Sequence, residues 1–178
     1  MKGEDRTGQE PEEAERYRLE AGIAAPQEML LTPPAGIALP PGVQEELQRL
    51  QELTFSDMAA LAWISDGSGE QGTGPYVWAS LLGSRSERVQ RMSFRRGSPG
   101  LAGTALRLGR YVTAEPQGIR DFARECPVML AEKLQTALAL PVNGKETAAG
   151  VLLLGSRSGR LYGPEEIRHA QSGAQRIF

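Results

Sequence analysis

Residues 136–157 read TALALPVNGKETAAGVLLLGSR. Two apolar runs flank Asn143-Gly144, and Asn-Gly is the dipeptide that best tolerates the left-handed backbone of a tight hairpin turn. The segment predicts two antiparallel strands that follow one another directly. A doubly wound parallel sheet needs a crossover, usually helical, between its strands, so this hairpin argues for an α+β fold instead.

Working outward, four more strands precede it. MAALAWISDG (58–67) is an apolar run ending in a turn signal, and PYVWASLLGS (75–84) is a second run. The glycine-rich GSGEQGTGP (67–75) between them reads as a hairpin loop. RVQRMSFRRG (88–97) predicts a third strand, with Val89, Met92 and Phe94 partly alternating. YVTAE (111–115) is a short fourth.

Helical spacing marks four other segments. VQEELQRLQELTFSDMAALA (43–62) places Val43, Leu47, Leu50 and Phe55 on one face. LAGTALRLGR (101–110) does the same for Leu101, Ala105 and Leu108, with Gly109 as the stop. VMLAEKLQ (128–135) is a short helix with Met129, Leu130 and Leu134 inward. GPEEIRHAQSGAQRIF (163–178) opens with Pro164, suited to a first turn. The expected fold is a five- or six-stranded antiparallel sheet. The terminal helices cover one face, and residues 97–135 lie over the other and enclose a pocket.

Residues 1–42 read as a separate extension, and 43–178 as the domain. The extension is acidic at Glu10, Glu12, Glu13 and Glu15, then dense in proline at Pro33, Pro34, Pro40 and Pro41, which removes N–H donors and regular structure. Met29, Leu30, Leu31, Ile37 and Leu39 are too many apolar residues for a solvated linker. They suit a strap across the domain or a partner contact.

Composition narrows the function classes. A net charge of −2 gives no general reason to expect nucleic acid or an anionic membrane as partner. Arg85, Arg88, Arg91, Arg95 and Arg96 lack an interleaved aromatic platform and read as a solvated hairpin face. No apolar run approaches the length of a membrane span, and the acidic N-terminus is no signal peptide. One cysteine, Cys126, and one histidine, His169, leave no disulfide framework and no cysteine zinc site, so a cytoplasmic setting is expected. Asp121, Glu125 and Glu132 form no acid/base pair, and Glu132 reads as a solvated partner of Lys133 or Lys145. No catalytic residue is indicated.

The best candidate for a functional site is GSPGLAGTALRLGR (97–110). Its glycine-rich turn runs into a helix whose first N–H groups have no intrahelical partner and sit at the positive end of the helix dipole. Gly100 and Gly103 would let a small anion approach the amides of Leu101 and Ala102. Pro127 opens a second helix and would leave the amides of Val128 and Met129 free.

These segments resemble the GAF family. The resemblance covers about residues 43–178 and rests on SPGLAGTALRLGRYVTA, the terminal hairpin, and CPVMLAEKLQTALALPV. CPVMLAEKL is similar to a segment of the family's nitrate-sensing members, single domains that work with a sensor histidine kinase and a response regulator. The resemblance implies a non-enzymatic sensor that binds nitrate or a similar small anion without cofactor or metal. It implies amide contacts from Leu101, Ala102 and Val128 and an aromatic wall at Trp78. Gly100, Pro127 and Met129 complete the implied site. Cys126 stands where those members carry tyrosine, so a ring and a hydroxyl are missing from that wall. The ligand would order residues 116–128 and so change the surface offered to the kinase.

Two other readings compete. The fold could serve as an interaction or homodimerisation module whose pocket is filled by its own side chains, with the proline-rich extension as the working surface. It could also hold a larger ligand, such as a cyclic nucleotide or tetrapyrrole. The lack of basic residues around GLAG and of a suitably placed cysteine speaks against that.

Overall fold

A computed structural model describes residues 37–65, 74–116, 126–144 and 148–177. The extension before Ile37, including Met29, Leu30 and Leu31, lies outside the described residues. So do Asp121, Glu125 and Lys145. The first helix, α1 (Val43–Leu53), buries Val43, Leu47 and Leu50, spaced four and three residues apart, and leaves its glutamates outside. Strands β1 (Met58–Ile64), β2 (Tyr76–Leu82) and β3 (Ser93–Phe94) follow. Then come helix α2 (Leu101–Leu108), strand β4 (Val112–Ala114) and helix α3 (Pro127–Glu132). The hairpin β5 (Thr136–Asn143) and β6 (Ala148–Ser156) and the helix α4 (Pro164–Ile177) complete the order.

All pairings are antiparallel, in the order β3-β2-β1-β6-β5-β4. The central strands are buried on both faces, which explains why MAALAWI and VLLLG read as continuous apolar runs rather than alternating ones. One face carries α1 and α4, whose Leu47, Leu50, Ala170 and Ile177 pack with Leu61, Leu138, Leu152 and Leu154. Ile37 and Leu39 pack against this cluster. The other face carries α2 and α3, with Leu101, Leu106 and Met129 on Ala60, Ala62, Ala137 and Leu153. The alanines on this sheet face let both short helices approach closely. Pro141 sits in β5 beyond the stretch Ala137–Ala139 that pairs with β4, so its missing N–H costs no ladder bond on that side.

Four expectations from the sequence need correction. Phe55 is 65% exposed, because α1 ends at Leu53 and Phe55 turns into the left-handed region at φ 50°, its ring under the Arg160 guanidinium. The predicted third strand is mostly a 3-10 turn, Val89–Arg91, and only Ser93 and Phe94 pair with β2. The hairpin link is longer than Asn143-Gly144 alone, since Asn143 pairs with Ala148 after a register shift. Leu108 and Leu130 face outward; Leu106 takes the buried place assigned to Leu108. Leu108 is the last residue of α2, and Leu130 falls on the solvent side of the six-residue α3.

Candidate functional site

Between α2, α3 and the β2–β3 edge lies a cavity of about 240 Å³. Three segments build it. The first is β2. A bulge opposite Leu61/Ala62 leaves Ala62 paired with Trp78 and Leu61 with Ser80, with Ala79 the extra residue. Such a bulge re-aims side chains. Trp78 and Leu81, three residues apart, consequently join the same cluster on one face of the sheet, with Ala79 in the cluster on the other. Trp78 is buried and contacts Phe94 at 5.5 Å between ring centroids, and Phe94 stacks on Tyr76 at the same distance.

The second segment is the turn into α2. Gly100 has φ 101° and ψ 176°, a conformation nearly confined to glycine. Gly103 is there for close approach: a Cβ would lie 2.1 Å from the carbonyl oxygen of Ser98. The turn is closed by the Ser98 N–H to Arg95 O at 2.9 Å and the Arg95 N–H to Ser98 Oγ at 2.8 Å. The first helical bond of α2 runs from the Thr104 N–H to Gly100 O, so the N–H groups of Leu101, Ala102 and Gly103 precede it.

The third segment is the start of α3. Cys126 is its buried N-cap and Pro127 its first residue. The Leu130 N–H bonds Cys126 O at 3.3 Å, which leaves Val128 and Met129 ahead of the first intrahelical bond.

The cavity brings together seven of the eight residues expected from the sequence: Trp78, Gly100, Leu101, Ala102, Cys126, Pro127 and Val128. Met129 is not among the lining residues; its side chain packs in the core beneath α3. Met92, Ser93, Phe94, Ser98 and Pro99 also line the space and escaped the sequence reading as site residues. Their apolar alternation was visible, but not that a turn at residues 95–98 folds them beside Trp78. Among the described residues no lysine, arginine, histidine or carboxylate lines the cavity. An anion there would be held by N–H and hydroxyl dipoles rather than by a countercharge. The five arginines from Arg85 to Arg96 are exposed and form no ion pair among the described residues.

Glu132 departs most from expectation. It is not solvated: its side chain is fully buried and paired with Arg157, 2.6 Å from Oε2. Burial of a carboxylate is tolerable only with such a partner and further donors. His169 is a partly exposed helix residue 3.8 Å from Glu165. A larger groove, about 700 Å³, lies elsewhere between α4 and β5 and shares no lining residue with the cavity.

A family model for the GAF domain matches residues 42–177, and the chain belongs to the GAF domain family. Among solved structures it is similar to a Staphylococcus aureus NreA protein mutated in its nitrate binding site. Identity is 30%, over 67% of this chain and 86% of that one, with a TM-score of 0.57. The GAF domain of a phosphoenolpyruvate-protein phosphotransferase from Coxiella burnetii shares the fold at 18% identity, over 78% of this chain and 81% of that one, TM-score 0.61. So does a type II free methionine-R-sulfoxide reductase from Thermoplasma acidophilum, at 16% identity, over 75% and 85%, TM-score 0.57. No curated protein matches the chain. Among the described residues no helix is long and apolar enough to cross a membrane, and no histidine, cysteine and carboxylate group could hold a metal.

Proposed function

We propose that this chain is a non-enzymatic sensor whose cavity under α2 and α3 binds nitrate or a similarly small oxyanion, and that occupancy modulates a sensor histidine kinase. The observation that carries the reading is the cavity itself. It joins the starts of two helices with an aromatic wall and, among the described residues, has no ionised side chain in its lining. A site of amides can hold a monovalent anion through charge-assisted hydrogen bonds, each worth about 1.5–3 kcal/mol. The helix dipole of α2 adds about 0.3–1 kcal/mol. The similarity to NreA, whose structure is described for a nitrate binding site, supports nitrate as the first ligand to test. The volume of about 240 Å³ would take about eight waters at about 30 Å³ each, so a bound small anion would keep some water or leave room at Cys126.

Sulfoxide reduction, the activity named for one fold relative, finds less support. The chain has one cysteine, and without a second one no resolving disulfide can form within it. For signalling, the ligand can shift the kinase-facing surface only by its differential affinity for two states of the domain. The test is a calorimetric titration of the full chain with nitrate and nitrite, beside Trp78→Ala. Saturable heat that Trp78→Ala weakens supports the reading; absence of heat with both anions removes it.

A further inference from the structure

Glu132 lies outside the cavity lining, yet the elements that carry both cavity walls are joined at its carboxylate. The Ser84 hydroxyl donates to Oε1. The Arg85 N–H donates to Oε2 at 2.9 Å and the Ser86 N–H to Oε1 at 3.1 Å. Arg157 donates from Nη2 to Oε2 at 2.6 Å and to Gly83 O at 3.0 Å, and from Nε to the Glu132 carbonyl at 2.9 Å. The Arg157 N–H bonds Asp57 Oδ2 at 2.6 Å.

Residues 83–86 directly follow β2, the strand that carries Trp78. Arg157 directly follows β6. Glu132 is the last residue of α3, whose first residues form the opposite wall. A helix of six residues has no stability of its own and takes its position from its anchors. The chain stops α3 sharply with Lys133 in the left-handed region at φ 54°, and the Leu134 N–H reaches back to Met129 O at 3.0 Å. A non-glycine residue is held there only when its surroundings over-determine it. Among the described residues no other ion pair joins α3 to the sheet.

We infer that Glu132 is the positioning residue of the cavity: its clamped carboxylate fixes α3 against the β2 segment and so sets the gap between Cys126–Val128 and Trp78. The affinity arm of the test rests on the proposed ligand reading; the thiol arm does not.

Cys126, the chain's one cysteine, is buried at the start of α3 and serves as reporter. Its alkylation by iodoacetamide is followed in the native full chain. Glu132→Gln is expected to speed it about tenfold, and Ser84→Ala, a milder loss of one donor, by a smaller factor, because local opening of α3 exposes the thiol. Leu47→Val, under the opposite face, destabilises the domain and is expected to leave the rate unchanged. If Glu132→Gln unfolds, Ser84→Ala carries the comparison. Unchanged thiol rates in both variants overturn the inference, as does an equal rise in Leu47→Val at a matched loss of melting temperature. With nitrate as probe, Glu132→Gln is expected to raise Kd about tenfold through the displaced α3 wall. If nitrate binds the parent chain and the variant equally, the inference falls. If nitrate does not bind the parent chain but the thiol rates rise as expected, the positioning role stands and the ligand reading fails.

Discussion

Gly103→Ala tests whether the glycines of GLAG serve close approach rather than flexibility. The added Cβ would meet the Ser98 carbonyl at 2.1 Å, and that atom is backbone, so it cannot rotate away. Reaching an ordinary contact of 3.4 Å requires a shift of about 1.3 Å (3.4 − 2.1) in α2 or in the turn at residues 95–98. Such overpacking costs about 1–3 kcal/mol, and a clash this deep against backbone belongs at about 2–3 kcal/mol. The better helix propensity of alanine offsets up to about 1 kcal/mol. The net expectation is a loss of about 1–2 kcal/mol. For a domain of this size that is a fall in melting temperature of about 2–8 °C, at about 2–4 °C per kcal/mol. Differential scanning calorimetry reads it directly, with Gly97→Ala as control, since a Cβ there meets nothing within 4 Å. Because the strained turn also carries Pro99, Gly100 and Leu101 into the cavity wall, Gly103→Ala should weaken nitrate binding as well. A Gly103→Ala chain as stable as the parent would refute the packing argument.

Four further outcomes follow from the same geometry. Trp78→Ala should weaken nitrate binding and also cost about 3–5 kcal/mol of stability, as loss of a buried aromatic does; binding is therefore measured well below its melting temperature. Leu101→Pro removes an N–H at the first helical position, where proline is tolerated, and should abolish binding while circular dichroism still shows a folded domain. Lys133→Gly should stabilise the chain by about 0.5–1 kcal/mol in denaturant titration, because relief of the left-handed penalty of about 1–2 kcal/mol exceeds the added chain entropy of about 0.5–1. Glu166 is held below the usual carboxylate range by hydrogen bonds from its own backbone N–H first, then from Arg160 and the Gly163 N–H. A depressed carboxyl stabilises the folded state above its unfolded pKa and loses that contribution as pH falls through the folded one. The stability gap between the parent chain and Glu166→Gln should therefore be present at pH 7 and vanish in acid, as melting curves across pH would show.

The layout of the sheet was legible because its central strands are long apolar runs and its terminal helices carry clean spacings at Val43, Leu47 and Leu50 and at Ala170, Ala174 and Ile177. The edges were not. Val89, Met92 and Phe94 alternate only in part, a short 3-10 turn satisfies the backbone at Val89–Arg91 locally, and only Ser93 and Phe94 reach β2. For the cavity, the glycine turn and CPV were visible as motifs, since φ 101° at Gly100 and proline at the start of α3 leave local signatures. Glu132 left none. Its burial depends on Arg157, 25 residues later, and on the amides of Arg85 and Ser86, 47 and 46 residues earlier. Helical spacing alone put it on a solvated face. Met129 is divided between the two roles: its side chain faces the core, while its amide stays ahead of the first intrahelical bond of α3.

The claim that this cavity is an anion site of backbone amides is tested most directly by the melting temperature of the purified chain in rising nitrate, with chloride held as the ionic-strength control. A ligand at 100 times its Kd stabilises the folded state by about 2.7 kcal/mol. The account predicts a saturable rise of about 5–11 °C at that occupancy, at about 2–4 °C per kcal/mol, lost in Leu101→Pro. A melting temperature that responds no differently to nitrate than to chloride contradicts it.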